Sequence, residues 1–356
     1  MSDRVMESSA LEYERSLKKR SLAGLFLIGF LILLTIYSLQ VGSYSLTYYD
    51  LFKALIGEGS DTLRHVLWDI RLPRMIAAVI AGAGLGVAGA VMQNVLRNPL
   101  ASPFTIGVSQ GAAFGAAFAI IFFGAGQTHM SGTEGVTVYS PYIIVLCAFC
   151  GSLISVTFIL LLSALREVTP EALILAGVAL SAFFGALTMF IQYFASDIQV
   201  AATVFWTFGD IGKAGWRENG LILAVLLVVM TYFISNSWNY NVLQWGDESA
   251  KGLGVSVKSM RIGGMLMSSL IVSVITAFLG IIGFIGLIAP HIIRLIIGND
   301  YRFLIPYSAI FGGFLLLFSD VLARTLLSPV VIPVGIITSF MGAPMFIYIL
   351  IKGKRV

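Results

Sequence analysis

Residues 75–93 read MIAAVIAGAGLGVAGAVMQ, nineteen residues with no ionisable side chain and with glycine or alanine at about half the positions. As a helix rising 1.5 Å per residue it reaches about 28 Å, close to the roughly 30 Å of a bilayer's hydrocarbon core. Ala78, Gly82, Gly86 and Ala90 recur at four-residue spacing, and Gly107, Gly111 and Gly115 repeat the pattern further on. Such stacks let helix backbones approach closely where lipid removes the hydrophobic drive for association. The segment therefore reads as one transmembrane helix packed inside a bundle, with a self-association face as the alternative use of its small residues.

Nine more apolar segments surround it. In chain order the ten are Leu22–Leu39, Met75–Gln93, Phe104–Phe123, Ile143–Leu165, Ala172–Phe194, Leu221–Ile234, Ile262–Leu279, Ile281–Ile297, Leu304–Val321 and Val334–Ile351. The seventh and eighth form a run too long for one span and are divided near Gly280 and Gly283. Over the 356 residues, 58% are hydrophobic and only 11% charged, against about 25% charged in an ordinary soluble domain. This excludes an ordinary globular enzyme and gives an all-α, polytopic membrane protein of about ten spans. The first apolar run follows a charged segment without a small-x-small exit site, so it reads as a retained span.

An even number of spans puts both termini on one side, and basic residues select that side as cytoplasmic. Fifteen of the 22 Lys and Arg then lie inside, and the outer side keeps Lys53, Arg64, Arg71, Arg74, Lys213, Arg217 and Arg324. The expected organisation is an inner N-terminal segment (1–21), a transmembrane domain (22–351) and an inner tail (352–356). Outer loops are long: Gln40–Arg74, Gly124–Tyr142 and Ala195–Gly220. The exception on the inner side is 235–261, where Val242, Leu243, Trp245, Ala250, Leu253 and Val255 alternate with Asp247, Glu248, Lys251 and Lys258. That spacing predicts one or two short amphipathic helices broken at Gly246 and Gly252–Gly254.

Chemistry is sparse. No phosphate loop of the type G-x-x-x-x-G-K-[ST] occurs, so the chain does not itself cradle ATP phosphates. Its three histidines form no metal-binding spacing, and His291 after Pro290 reads as structural. Cys147 and Cys150, one helical turn apart, read as two small buried residues, because no second pair or nearby histidine completes a site. No catalytic residue, cofactor, metal or nucleic-acid partner is expected. No apolar segment carries a mid-membrane carboxylate of the kind an ion-coupled carrier uses. Asp320 and Arg324, four apart, either neutralise each other or leave Arg324 presented outward.

Several strings resemble a known family: Arg71-Leu72-Pro73-Arg74, Gly89-Ala90-Val91-Met92-Gln93, Asn98-Pro99-Leu100-Ala101, Leu175-Ala176-Gly177-Val178-Ala179-Leu180, Gly283-Phe284-Ile285-Gly286-Leu287-Ile288-Ala289-Pro290-His291 and Gly342-Ala343-Pro344. In this order they are similar to the permease subunits of binding-protein-dependent ABC importers for iron chelates, haem and cobalamin, the FecCD type. The resemblance implies a type II importer fold, a second permease copy, two ATP-binding subunits beneath and an external substrate-binding protein above. It further implies that Arg71, Arg74 and Arg324 meet acidic residues of the binding protein. Leu243, Trp245, Gly246, Asp247, Glu248, Ala250, Leu253 and Gly254 would belong to the element coupled to the ATPase. Trp245 stands where a smaller apolar residue would be expected. Gly177, Ser181, Met189, Thr338 and Met341 become candidate lining of the pathway between two copies. The implied cargo is a metal chelate, first a ferric siderophore, with cobalamin, haem and molybdate as alternatives. An ATP-independent carrier and a membrane-embedded receptor or structural subunit are the readings from other classes.

Overall fold

Inside a bilayer a backbone has no water to bond, so spanning segments satisfy their polar groups internally as helices. In the computed structural model, residues 2–42, 47–125, 128–129, 137–138, 141–165 and 169–352 are described. Most of the expected outer loop Gly124–Tyr142, the tail beyond Lys352, and Arg166, Lys354 and Arg355 of the inner count lie outside the described residues. Among the described residues the chain is almost wholly helical, with one two-residue antiparallel pairing of Thr128–His129 with Thr137–Val138.

The helices are α1 (Ser2–Gln40), α2 (Tyr48–Leu55), α3 (Asp61–His65), α4 (Leu72–Val95), α5 (Val108–Phe122), α6 (Pro141–Leu165), α7 (Pro170–Tyr193) and α8 (Asp197–Thr207). There follow α9 (Trp216–Ser235), α10 (Ser237–Leu243), α11 (Asp247–Gly252), α12 (Val257–Leu279), α13 (Ile285–Ile297), α14 (Tyr301–Thr325) and α15 (Val334–Lys352). Each of the ten apolar segments holds a helix. Among the described residues, seven helical stretches are long and apolar enough to cross a membrane, and shorter apolar helices occupy the third, eighth and tenth segments. Boundaries differ from expectation where polar residues join a helix. The segment 1–21 is helical from Ser2 and runs unbroken into the first span. A π-turn, Val66–Arg71, joins α3 to α4, so the Arg71–Arg74 string lies within continuous helix rather than in a loop.

The opening stretch is the hub. From Ala77 to Val95 almost every residue of α4 is buried, against α14, α12, α13 and α9. A Cβ at Gly82, Gly86 or Gly89 would collide with the backbone oxygens of Gly312, Ser308 and Gly286. Gly111 and Gly115 meet Gly151 and Cys147 of α6 in the same way. The small-residue stacks thus serve packing inside one chain. The two cysteines correct an expectation: Cys147 is half-buried and Cys150 is exposed on α6, rather than both being buried.

The long seventh-to-eighth run does break at its glycines. Gly280 (φ 79°) ends α12 and Phe284 (φ 68°) precedes α13. The freed backbone finds partners: Phe208 and Ile281 form a parallel bridge, the Asp210 amide donates to Leu279 O at 2.8 Å, and the Gly335 amide donates to Gly209 O at 3.0 Å. Non-helical backbone in a membrane protein is tolerated where it is paired and enclosed by protein or lines a cavity.

Candidate functional site

The geometry has three parts, beginning at the end expected to face outside. There Asp320 of α14 is fully buried and bridges two guanidinium groups. Arg74 Nε donates to its Oδ1 at 2.8 Å, and Arg324 Nε to its Oδ2 at 3.0 Å. Arg74 also lies 3.7 Å from Asp210, in the loop after α8. Arg324 reaches the end of α1, donating to Val41 O at 2.7 Å and to Ser38 Oγ at 2.7 Å. Arg71, also buried, donates to Leu39 O at 2.5 Å and Gln40 O at 3.0 Å. These are the last carbonyls of α1, which lack helical partners and sit at the negative end of its dipole. The structure therefore brings all three predicted arginines together and engages each within the chain. The i,i+4 pairing of Asp320 with Arg324 is made, and Arg74 joins it from 246 residues away.

A cavity of about 770 Å³ lies against the break between α12 and α13. Phe104, Phe208, Phe284 and Phe340 give it an aromatic wall, and hydroxyl side chains such as Ser102, Thr105 and Ser339 add polar points to the lining. On α15, Gly335, Ser339 and Ala343 face it at helical spacing, and Phe340 is 75% exposed. Thr338 and Met341 fall on another face of that helix: Thr338 is buried and bonded to Gly335 O, and Met341 contacts Ser319 of α14. On α7, Gly177 is closed against the backbone at Thr105, Ser181 donates to Gly177 O at 2.8 Å, and Met189 is 72% exposed. None of these five lines the cavity. A sequence reading had the tenth segment but not its phase. Phe284 stood in the sequence within the family-resembling string Gly283–His291, with no signal that it lines a cavity.

At the opposite end the patterned loop forms two short helices, α10 and α11, separated at Gln244–Gly246. Leu243 and Ala250 are buried in the chain's own core, whereas Trp245 (72%), Leu253 (62%), Glu248 and Gly254 are exposed. Gly246 (φ 114°) and Gly254 (φ 82°) take backbone conformations that side chains disfavour. Asp247 is turned inward to Arg97 and Arg261. A second joint holds α10: Asp300 accepts from Asn241 (2.9 Å), Arg20 of α1 (3.0 Å) and Arg302 (2.6 Å). Burial raises the Asp300 pKa, but the Arg302 and Asn241 hydrogen bonds outweigh it and bring it down to about 2. Among the described residues no three His, Cys, Asp or Glu side chains converge to hold a metal.

The profile of the FecCD transport family matches residues 30–352. The chain belongs to the FecCD transport family. Its likeness to individual members runs nearly end to end. A chain named as an ABC transporter permease of Methanocaldococcus jannaschii is 55% identical over 96% of this chain and 97% of its own length. The hemin transport system permease of Yersinia pestis is 36% identical over 93% of this chain and 95% of its own. Among solved structures, an inward-facing metal-chelate type ABC transporter superposes with a TM-score of 0.79 at 31% identity, covering 92% of this chain and 98% of that one. The fold is that of a type II ABC importer permease, and this FecCD member is an integral protein of the cell membrane.

Proposed function

We propose that this FecCD permease carries a metal chelate inward across the membrane, driven by ATP hydrolysed on two copies of a separate subunit. The observation that carries the reading is the pairing of the cavity with exposed Trp245 and Leu253 at the opposite end of the chain from the arginine cluster. Both termini and α10–α11 face the cytoplasm in this reading, as the distribution of basic residues indicates. Trp245, Glu248 and Leu253 seat on the ATPase, while Leu243 and Ala250 hold the loop to the permease core. The pathway runs past the cavity face of α15, and a second copy of the chain closes it along the exposed faces of α7 and α15.

The cargo is a chelate of siderophore or haem size. A relative named for hemin transport and a neighbour named as a metal-chelate type transporter support that class over a small oxyanion. An external binding protein delivers the chelate at the end carrying Arg71, Arg74 and Arg324. There three guanidinium groups stand against the carboxylates of Asp320 and Asp210, leaving positive charge in excess to draw acidic residues of the docking protein. Proteoliposomes holding the permease, its ATPase and its binding protein test the proposal with labelled ferric siderophore, haemin, cobalamin and molybdate. ATP-dependent accumulation of an iron chelate is expected. Accumulation without ATP overturns the mechanism, and accumulation of molybdate alone overturns the cargo class.

A further inference from the structure

Asp247 opens α11, in the loop proposed as the ATPase contact, yet its carboxylate, about a third exposed, is held by two arginines of this chain. Its Oδ1 accepts from Arg97 Nη2 at 2.6 Å, and both its oxygens accept from Arg261 Nη2 at 3.2 Å. Arg261 in turn donates through Nε to Val95 O at 3.1 Å, the last residue of α4. α10 is fastened to the same place, because Asn94 Nδ2 donates to Tyr240 O at 3.0 Å. One face of the loop is therefore stitched to the end of α4 while Trp245 and Leu253 are left exposed on the other.

Arg97 itself is unusual. It takes φ 46°, a conformation that few non-glycine residues adopt and that persists only where surroundings enforce it. From it the chain makes a tight turn: Asn98 Oδ1 accepts from the Leu100 amide at 2.8 Å, and the Ala101 amide donates to Asn98 O at 3.0 Å. The turn then delivers Ser102, Phe104 and Thr105 to the cavity wall. A side chain on the coupling loop thus grips the one residue whose strained backbone starts the turn into the cavity.

We propose that the Arg97–Asp247 pair is the positioning link through which displacement of α11 reaches the 97–105 turn and so the cavity. The inference rests on the reading of 235–261 as the ATPase contact. A stretch of rigid turn moved by its first residue carries displacement further than a flexible loop would, and a charge-assisted bond at 2.6 Å is suited to pull as well as push.

The test measures cargo transported per ATP hydrolysed in proteoliposomes, together with ATPase co-purification. Arg97→Gln leaves Asp247 paired with Arg261, so α11 stays seated but loses its grip on the turn. Co-purification and ATP hydrolysis are expected to persist while transport per ATP falls about tenfold, and Arg97→Lys is expected to recover most of the loss. Asp247→Asn is expected to lower the same ratio. An unchanged ratio in Arg97→Gln overturns the link. So does a loss of ATPase binding in Arg97→Gln that accounts for the whole fall in transport. Leu253→Asp separates the two readings: if that variant still binds the ATPase, the loop is not the contact, whatever Arg97 does.

Discussion

Asp320 is the residue on which the arginine-rich end depends. It is buried, and two arginines from different helices share its carboxylate. Removing its charge leaves two desolvated guanidinium groups facing each other, and breaking such a pair costs about 3–5 kcal/mol. Asp320→Asn is therefore expected to lower the unfolding midpoint of the detergent-purified protein by many degrees, while Asp69→Asn, on an exposed carboxylate, leaves it unchanged. At the other end Asp300 supplies a pH-dependent contribution. Its folded pKa of about 2 lies below the ordinary 3.8, so its stabilisation is fully present above about pH 4 and is lost as pH falls through about 2. The midpoint difference between wild type and Asp300→Asn is expected to shrink as pH is lowered from 5 to 2; a constant difference would refute the assignment. The sequence could not disclose these joints. Arg74 and Asp320 are 246 positions apart and Arg20 and Asp300 are 280 apart, and no local spacing marks such pairs.

At the scale of elements, small residues decide how closely α4 is held. A Cβ at Gly89 would enter the backbone of Gly286, whereas one at Gly29, on the exposed face of α1, would meet nothing within 4 Å. Gly89→Ala is expected to reduce recovery of folded protein sharply by size-exclusion chromatography, and Gly29→Ala to be neutral or stabilising by up to about 1 kcal/mol. Equal behaviour of the two would contradict the packing described here. Much of this level was legible beforehand, because four-residue spacing of small side chains and the absence of charge both follow from helix geometry in lipid. The division at Gly280 and Gly283 was legible for the same reason, and the inner loop's two short helices followed from its amphipathic spacing. Helix ends were less so. Polar residues 2–21 and 61–74 extend helices past the apolar stretch, since hydropathy marks the lipid boundary and not the end of hydrogen bonding. The face of α15 that lines the cavity was hidden as well: between Gly335 and Ala343 the only polar side chains, Thr338 and Ser339, are adjacent and point to different faces, so periodicity gives no phase.

In the whole molecule, one end is locked by buried ion pairs, a cavity lies at a helix break, and the 235–261 loop at the other end has one exposed and one anchored face. In the proposed function the cavity is part of the route taken by the cargo under ATP drive. The direct measurement is uptake into proteoliposomes by single-cysteine variants in a background with Cys147 and Cys150 replaced. A cysteine at Ser339 lies in the cavity wall, one at Thr338 is buried away from it, and one at Cys150 lies on the outer surface of α6. A bulky thiol reagent is expected to abolish ATP-driven uptake of the chelate in Ser339→Cys, with excess cargo slowing the modification, and to spare Thr338→Cys and the variant retaining Cys150. If fully modified Ser339→Cys transports as the unmodified protein does, the cavity is not on the route.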